Sequence, residues 1–589
     1  MCGILVAVAK TGALDAATCR RALSTMAWRG PDFSWSRTWD DRVFLGQTVL
    51  SITGDPRPGV GEYHRAGGGR WELIYNGEIY NFRTLEDTVL RPHASPGARY
   101  GSDTEILVQL HDVLPADEVL ARLEGMYAYA LLDTTARQVH VARDVQGEKS
   151  LYVYEDAAWI VVASEIRAIR ALVPGIGLDV QVLRDYFRTR HFMPFERTAW
   201  QGIRQLLPGR LETLDLESLK WTTARTLTFR DWIDPARLDA NARRTDDDLA
   251  DELDALLDRC AREMVPRERR WAAVVSGGVD SSLLARYLLR HGDPALLVAV
   301  NHVGKDRISS DLAGFERALG RPIEVVRVDA PAYASEVARC QQVTGAPLHA
   351  HSFVPQAMQS AAVRAHGARV LFGGDGADEL FGGYEAYVTP PATPGRYSPS
   401  PYTSHQTPRF TFDDDAPGAM QADLAAAWAE SLDAYAGAPA AERVGHAMML
   451  CDALYQLPAV GLRGADLMSM MWSVETRTIY VRPEVIRFAL NLPLRAKADP
   501  AAPPLLRAKP LLKRVFLRHF SSPLLVEKQG FAGFPNDAAA YLGDVRDYRA
   551  LGVLGVEPGS LDAGMADAAS AWKLINTEYF LRYGAGASA

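Results

Sequence analysis

The sequence has few of the features that indicate binding to zinc, a membrane or a nucleic acid. It has no CxxC pair and few, scattered thiols, which argues against a zinc site or a disulfide framework; the five cysteines are Cys2, Cys19, Cys260, Cys340 and Cys451. No apolar run approaches the length of about 18 residues that would indicate a membrane span. The net charge of −8 argues against a partner bound through nucleic-acid phosphates. The N-terminus lacks the basic stretch and long apolar core of a signal peptide, so we expect a cytoplasmic protein.

The length and the hydrophobic pattern predict two domains, because 589 residues exceed what one core fills. Over the first 160 residues, short strand-like runs are interrupted by helical patterns at Asp15–Met26 and Thr104–Leu123, which predicts a strand sandwich with outer helices. The pattern changes after about residue 225. Strand–loop–helix units follow and predict a parallel α/β sheet, and from residue 417 the pattern is mostly helical. A stretch rich in Pro, Ser and Thr, 389–408, is expected to be a mobile loop or lid.

A cysteine directly follows the initiator methionine in "MCGIL". Once Met1 is removed, Cys2 carries a free α-amine beside its thiol, which places a base with a pKa of about 8 next to a nucleophile. A small residue at this position also favours methionine removal without any catalytic role. Cys2 is therefore a candidate nucleophile whose role depends on the rest of the chain.

A second candidate site is "SGGVDSS" (276–282), which follows an apolar strand and opens a helix. Glycine backbone and serine hydroxyl groups at a helix N-terminus form a cradle for phosphate. The candidate phosphate-binding residues are Ser276, Gly277, Gly278, Asp280, Ser281, Ser282 and, from the next motif, Gly374. Asp280 would repel phosphate unless a cation lies between them, which implies Mg²⁺. The loop lacks the GK[ST] ending of a Walker loop, so γ-phosphoryl transfer is not indicated.

Three acids lie between glycines in "GGDGADELFGGY" (373–384), again after a buried strand. Asp378 fits a magnesium ligand, and Asp375 fits a carboxylate close to the reacting centre. The alternative for this motif is an ordinary acidic, glycine-rich turn.

The motifs of both halves resemble, in order and spacing, those of the asparagine synthetase B-type glutamine-dependent amidotransferases. "SGGVDSS" resembles the pyrophosphatase loop of ATP-pyrophosphatases, and "GGDGADELFGGY" resembles the second signature of the family. The other matching stretches are "MCGI", "WRGPD" (28–32), "YNGEIYN" (75–81), "GSDTE" (101–105), "GMYAYALLD" (125–133), "ARD" (142–144), "LRGADLMSMMWSVETR" (462–477) and "KPLLK" (509–513). The resemblance runs from Cys2 to at least Gly530.

The resemblance implies a role for each matching residue. Cys2 would be the nucleophile of a class II glutaminase, with Asn76 and Gly77 as its oxyanion hole. Glu78 and Asp103 look like the groups that bind the α-amine of glutamine. Lys509 looks like the lysine that stabilises the adenylate, where negative charge develops during aminolysis.

The resemblance also implies the fold and the reaction. We expect an N-terminal αββα glutaminase sandwich over 1–225, a linker over 226–240, and a parallel α/β ATP-pyrophosphatase domain with a helical C-terminal part over 241–589. Ammonia freed at Cys2 would pass through an internal apolar channel to the second site. There ATP and Mg²⁺ would convert a carboxylate to an acyl-adenylate, and ammonia would displace AMP. The expected partners are glutamine or ammonia and a carboxylate substrate, with no nucleic acid or membrane, and a homodimer is one option for the assembly.

Three departures from the family pattern leave the acceptor open. "TRTIYVRP" (476–483) stands where the family usually reads "ARVPFLD", "NHVGKDRISSD" (301–311) replaces an acidic stretch, and the Pro-rich insert lies just behind the second signature. Aspartate is the default acceptor, and a larger carboxylate is the alternative.

A fourth departure lies in the glutaminase half. Family members usually read "x-H-x-R-L-S-I", and that arginine grips the α-carboxylate of glutamine. Aligning on Leu50–Ile52 places Val49 at the arginine and Gln47 at the histidine, while Trp28 replaces the histidine of "HRGPD". We therefore expect the KM for glutamine to rise by about 10- to 100-fold unless another cation substitutes.

Three other functions compete with glutamine-dependent amide formation. An ammonia- or amine-using ligase or cyclase of the β-lactam or lasso-peptide type is disfavoured by the intact Cys2 and by Asp375, where β-lactam-forming relatives carry tyrosine. A tRNA-modifying enzyme is disfavoured by the acidic charge. A binding protein without catalysis is disfavoured by the intact phosphate-loop and magnesium residues.

Overall fold

The computed structural model describes residues 2–52, 64–93, 100–302, 312–389, 407–414, 418–526 and 537–585. Its N-terminal part contains two antiparallel six-stranded sheets, with strand orders β10-β8-β9-β1-β3-β2 and β12-β11-β7-β6-β5-β4. The strands are β1 (Cys2–Ala9), β2 (Phe33–Trp39), β3 (Val43–Val49), β4 (Arg65–Ala66), β5 (Trp71–Ile79), β6 (Gly125–Asp133), β7 (Gln138–Arg143), β8 (Tyr152–Glu155), β9 (Trp159–Ala163), β10 (Ile203–Gln205), β11 (Arg210–Asp215) and β12 (Trp221–Thr226).

The two sheets share one apolar core because alternate residues of each strand face the other sheet. Ile4, Val6 and Val8 of β1 pack there against Ile74 of β5 and Ala130 of β6. Helices cover the outer faces: α1 (Ala16–Ser24), α2 (Phe82–Leu85), α3 (Asp103–Val113), α4 (Ala116–Arg122), α5 (Ile166–Leu172) and α6 (Val180–Tyr186). This arrangement confirms the predicted αββα sandwich.

One helix prediction for this domain was wrong. The pattern Thr104–Leu123 forms two helices, α3 and α4, because the chain turns extended at Leu114 just before Pro115. The proline ring disfavours a helical conformation for the residue before it and removes one backbone donor. Helix α3 begins where the Ser102 side chain accepts a hydrogen bond from the Glu105 backbone nitrogen.

The C-terminal part is built on a parallel five-stranded sheet in the order β15-β14-β13-β16-β17, as predicted. Its strands are β13 (Trp271–Val274), β14 (Leu296–His302), β15 (Ile323–Val328), β16 (Val370–Gly373) and β17 (Glu475–Thr478). The helices are α7 (Pro235–Ala242), α8 (Asp246–Met264), α9 (Val279–His291), α10 (Leu312–Leu319), α11 (Ala330–Thr344), α12 (Phe353–Ala365), α13 (Ala377–Phe381), α14 (Glu385–Val388), α15 (Met420–Ala434), α16 (Ala440–Cys451), α17 (Leu462–Met470), α18 (Pro483–Leu490), α19 (Pro510–His519), α20 (Arg549–Leu554), α21 (Leu561–Ala566) and α22 (Ala568–Tyr579).

Two elements of this part position the second site. In parallel sheets, ligands bind beyond the carboxyl ends of the strands, and the loops after β13 and β16 lie there. A π-helical segment, Asp452–Gly461, joins α16 to α17 and carries Pro458. Such π-helical turns are frequent at functional sites.

Two stretches singled out in the sequence lie largely outside the described residues. They are most of the Pro-rich stretch 389–408, and residues 303–311 of the stretch 301–311. None of the five cysteines, all of which lie in the described ranges, forms a disulfide, and all five are buried. No helix in the described ranges combines the length and the apolar character needed to cross a bilayer.

Candidate active sites

Cys2 begins β1 and is buried, with 7% of its surface exposed. Its backbone nitrogen donates a hydrogen bond of 2.8 Å to Asn76 Oδ1, and its carbonyl accepts one of 3.0 Å from Arg29 Nε. That nitrogen becomes the α-amine once Met1, which lies outside the described residues, is removed. The thiol and the group that would serve as its base are therefore held in place by two side chains.

Asn76 and Gly77 are consecutive residues of β5, which pairs antiparallel with β6. While Asn76 Oδ1 accepts from Cys2, its Nδ2 is buried and makes no hydrogen bond to any described residue. A side chain at Gly77 would place its Cβ 2.1 Å from the Met126 carbonyl oxygen, so only glycine fits. A buried donor without an acceptor is costly, and this one is suited to an oxyanion that arrives with substrate.

Asp103 is buried, Glu78 is mostly buried, and both have partners within the protein. Glu78 forms an ion pair of 3.3 Å with Arg477 of β17, and Asp103 accepts hydrogen bonds from the Tyr75 hydroxyl (2.8 Å) and a backbone nitrogen. Burial raises the pKa of Glu78 to about 7, because Arg477 offsets it only in part while Asp103 and Glu475 add negative charge nearby. A bound α-amine would relieve this excess of negative charge.

The residues that depart from the family pattern also lie at this site. Val49 pairs directly with Cys2 across β1 and β3. Gln47 connects the two sheets, since its Nε2 donates to the Tyr75 carbonyl at 2.8 Å. The guanidinium of Arg167 lies over the Trp28 ring. The structure therefore places an apolar side chain beside the nucleophile, at the position where the resemblance puts an arginine.

The segment Ser276–Ser282 follows β13 and includes the first turn of α9, as the sequence predicts. Gly277 has a φ of 78°, which favours glycine, and Gly278 is the residue before the first turn of the helix. The Ser281 hydroxyl accepts from the Ser276 backbone nitrogen at 3.0 Å. The loop borders a cavity of about 530 Å³, so its backbone donors and the helix N-terminus face a space suited to phosphate.

Lys509 brings two of the predicted acids together. Its Nζ lies 2.5 Å from Asp280 Oδ2 and 2.5 Å from Asp378 Oδ1. Although burial opposes its charge, the two carboxylates raise the pKa of Lys509 above its usual value. Its backbone is left-handed, with a φ of 54°, a strained conformation that occurs often at functional sites. A side chain at Gly383 would clash with both Lys509 and Asp378, so this glycine makes room for the ion pair.

The same two carboxylates are the magnesium ligands expected from the sequence. They converge on one position that already holds a cation, and carboxylate oxygens are ligands that Mg²⁺ prefers, usually together with substrate phosphates. Within the described ranges, no three His, Cys, Asp or Glu side chains form a ready-made metal site. Asp280 and Asp378 therefore fit an ion that is completed by phosphate, and Lys509 Nζ competes for the same carboxylates.

Asp375 lines the cavity one residue after Gly374, at the carboxyl end of β16. Burial and the nearby Asp378 raise the pKa of Asp375 to about 6. The Thr478 hydroxyl donates to the Asp375 carbonyl at 2.9 Å. A carboxyl group that titrates close to neutral pH inside a cavity is suited to accept a proton during a reaction.

Sequence reasoning gave no role to several further residues that line the cavity. Five of them lie outside the quoted motifs, in the segment before β10, in α12 and in the π-helical segment: Arg190, His191, Gln356, Ser360 and Gln456. Two more, Ala465 and Ser469 of α17, lie within the matched stretch 462–477, but nothing in that stretch marks them as cavity residues. All of these positions converge only through tertiary packing.

A buried ion network, also missed, joins the two sites. Arg29 Nη2 contacts both carboxylate oxygens of Asp466, at 3.0 and 2.9 Å, and Arg29 Nη1 lies 3.2 Å from Glu165. Lys149 Nζ lies 3.3 Å from the same Asp466. Asp466 belongs to α17, which lines the cavity, whereas Arg29 binds the carbonyl of Cys2. The two candidate sites are thus connected through two side chains, Arg29 and Asp466, and one helix.

The structure is an αββα sandwich that begins at Cys2, followed by a parallel α/β domain with a cavity beyond the carboxyl ends of its strands. Family models match both parts: a glutamine amidotransferase domain over residues 1–224 and an asparagine synthase model over residues 252–552. The chain belongs to the asparagine synthase family.

Relatives with curated descriptions agree with this placement. A putative glutamine-hydrolysing asparagine synthetase of Mycobacterium tuberculosis is 30% identical over 68% of this chain and 63% of that protein. Amidase chry2 of Gibberella zeae is 25% identical over 62% of this chain and 55% of that protein. Asparagine synthetase 1 of Bacillus subtilis is 27% identical over 62% and 55%. The matched region therefore spans less than two thirds of the length of each of these relatives.

Among solved structures, a glutamine phosphoribosylpyrophosphate amidotransferase from B. subtilis is 14% identical. The match covers 55% of this chain and 65% of that chain, with a TM-score of 0.27, which is too low to bear on the fold.

Proposed function

We propose that the protein is an ATP-dependent amidotransferase that converts a carboxylate to an amide with nitrogen from glutamine. One observation carries the proposal: the same chain holds Cys2 with its nitrogen on Asn76, and a phosphate-loop cavity in which Lys509 meets Asp280 and Asp378. The first arrangement supports release of ammonia, and the second supports activation of a carboxylate.

At the first site, the Cys2 sulfur attacks the side-chain amide carbon of glutamine, and its α-amine accepts the thiol proton. The oxyanion is held by Asn76 Nδ2, the donor without a partner, and by the Gly77 backbone N–H. Ammonia leaves, and water then cleaves the thioester to give glutamate. Glu78 and Asp103 receive the α-amine of the substrate.

At the second site, an oxygen of the acceptor carboxylate attacks the α-phosphorus of ATP, and pyrophosphate leaves toward the loop Ser276–Ser282. Bound Mg²⁺, held by Asp280 and Asp378, would neutralise phosphate charge. Ammonia then attacks the acyl carbon and AMP leaves. Asp375 accepts the proton that the attacking nitrogen loses, and Lys509 stabilises the negative charge that develops.

We further propose that the acceptor is a carboxylate other than aspartate. The segment 476–483, whose sequence differs from the family pattern, contributes to the cavity. Thr476 lines the cavity, and the Thr478 hydroxyl donates a hydrogen bond to the backbone carbonyl of Asp375. Aspartate, the acceptor implied by the asparagine synthetase relatives, is the second candidate.

An ATP–pyrophosphate exchange screen over a panel of carboxylates, aspartate included, tests both acceptors. We expect exchange only with a carboxylate other than aspartate. Exchange with aspartate alone would contradict that proposal and identify aspartate as the acceptor. No exchange with any carboxylate in the panel, together with no ATP cleavage, would count against acyl-adenylate chemistry.

Nitrogen supply is tested separately, with glutamine and ammonium compared as donors in the wild type and in Cys2→Ala. The proposal expects amide formation from glutamine to depend on Cys2 and formation from ammonium to be independent of it. A family ligase with a non-functional glutaminase, for which Val49 is the supporting feature, would use ammonium or an amine only.

The proposed domain limits are 1–225, 226–240 and 241–589. They are supported by the end of β12 at Thr226 and by the two family matches. The linker contains the start of α7 at Pro235, so it is partly helical. Five cysteines without a disulfide favour a reducing compartment such as the cytoplasm.

A further inference from the structure

The strand end beside Cys2 is held to its surroundings by Asp32. Asp32 donates its backbone N–H to the Val49 carbonyl at 3.0 Å, and its Oδ2 accepts from the Ser51 backbone nitrogen at 2.9 Å. Val49 itself pairs with Cys2. Any cation bound to Asp32 or Ser51 therefore lies close to the position where the family arginine is missing.

Two arginines of the second domain reach this place. Arg369, the residue before β16, donates from Nη2 to Asp32 Oδ1 at 3.3 Å. Arg269, two residues before β13, donates from Nε to the Ser51 carbonyl at 2.9 Å. Both precede strands of the parallel sheet, at the end opposite the phosphate loop, so the sheet carries one candidate site at each end.

The guanidinium of Arg369 is only partly neutralised by its surroundings. Burial and the neighbouring Arg364 lower the pKa of Arg369, and Asp32 compensates only in part. Nη1 of Arg369 is buried and makes no hydrogen bond within the described part of the chain. A buried guanidinium donor without an acceptor is costly, and a carboxylate matches its fork geometry.

Glutamine supplies such a carboxylate at the right separation. Four carbon–carbon bonds of about 1.5 Å join its side-chain amide carbon to its carboxylate carbon, so the two groups lie roughly 5 Å apart. Because Val49 pairs with Cys2, a carboxylate about 5 Å from an amide carbon at the Cys2 thiol can reach the neighbourhood of Val49. We propose that Arg369, assisted by Arg269, binds the α-carboxylate of glutamine in place of the arginine that the sequence lacks at Val49.

This inference rests on the proposed hydrolysis of glutamine at Cys2. It adds that the glutamine pocket is completed by a residue of the other domain, so the donor site is whole only when the two domains are docked. Arg369 is then a substrate-binding residue and takes no part in the chemistry at the thiol.

The test is steady-state glutamine hydrolysis by the full chain with Arg369→Ala. We expect the KM for glutamine to rise by about 10- to 100-fold, as for loss of one charge-assisted hydrogen bond, with kcat within a few fold of the wild type. Adding Val49→Arg to Arg369→Ala should restore most of the loss, because it returns a cation to the family position. Arg364→Ala removes the same charge from the same cluster without a contact to Asp32, and should change the KM by less than about threefold.

Amide formation from ammonium serves as the folding control, since it does not use the glutamine pocket and should be equal in all these variants. An unchanged KM in Arg369→Ala, or equal effects of Arg364→Ala and Arg369→Ala, would overturn the assignment and leave glutamine hydrolysis intact. If wild-type hydrolysis is absent or survives Cys2→Ala, the proposed donor reaction fails and this inference fails with it.

Discussion

Replacing Asp466 should lower the stability of the protein and also affect the distant Cys2 site. Its carboxylate is buried, contacts Arg29 through two hydrogen bonds and also contacts Lys149. Asp466→Asn keeps the shape but leaves two buried cations with less negative charge. Removing one partner of a buried ion pair costs about 3–5 kcal/mol. Because Glu165 still contacts Arg29 at 3.2 Å, we expect a loss near the lower end, about 3 kcal/mol.

A matched control lies on the same domain junction. Glu124→Gln breaks the ion pair of Glu124 with Arg487, whose atoms are 2.6 Å apart but whose side chains are a quarter to a third exposed. Such exposed pairs contribute about 0–1 kcal/mol, so this variant should resemble the wild type. Calorimetry of both variants measures the difference, and glutamine hydrolysis reports whether Cys2 has been displaced through Arg29.

The sign of the pH dependence gives a second readout for Asp466. Burial opposes its ionisation, but Arg29 and Lys149 outweigh that effect and hold the pKa of Asp466 below its usual value. The stabilisation is therefore present above the ordinary aspartate range and is lost as the pH falls through the lowered pKa. Asp466→Asn should lose this acid-dependent component of stability. Equal stability of Asp466→Asn and Glu124→Gln at neutral pH would refute the reasoning.

Three further predictions concern the second site. Asp378→Ala or Asp280→Ala should abolish AMP formation while Cys2-dependent glutamine hydrolysis persists, and equal loss of both activities in a folded variant would contradict the separation of the sites. Lys509→Ala should lower amide formation by about 10²–10³-fold, as for loss of one electrostatic stabiliser, with little effect on glutamine hydrolysis. The rate of amide formation should rise as the pH passes through about 6, where Asp375 becomes ionised, and Asp375→Asn should remove that step from the pH profile.

The sequence predicted the local parts of this molecule well. The segment Ser276–Ser282 is predicted to follow a strand and open a helix, and it does so: it follows β13 and contains the first turn of α9. The break at Pro115 could also have been predicted, because a proline in the interior of a helical pattern usually ends or kinks the helix. Both features depend on residues that are neighbours in the chain.

The contacts that join distant residues could not be predicted. Lys509 was expected to act on the adenylate, but nothing in the sequence indicates that it lies between Asp280 and Asp378, 229 residues away in the case of Asp280. Arg29 and Asp466 are 437 residues apart, and both were quoted only as parts of motifs. Hydrophobic periodicity reports which face of an element is buried, and it carries no information about which charged residues will meet across a domain junction.

The junction itself explains why those charges are where they are. Three arginine–acid contacts cross it close to the nucleophile: Arg29 with Asp466, Arg477 with Glu78, and Arg369 with Asp32. Burying charges costs desolvation energy, so these pairs contribute less to affinity between the domains than apolar contacts of the same size would. What they do fix is register, because a shifted interface would leave several buried charges without partners. A donor site and an acceptor cavity in one chain need that fixed register if ammonia is to pass between them without release.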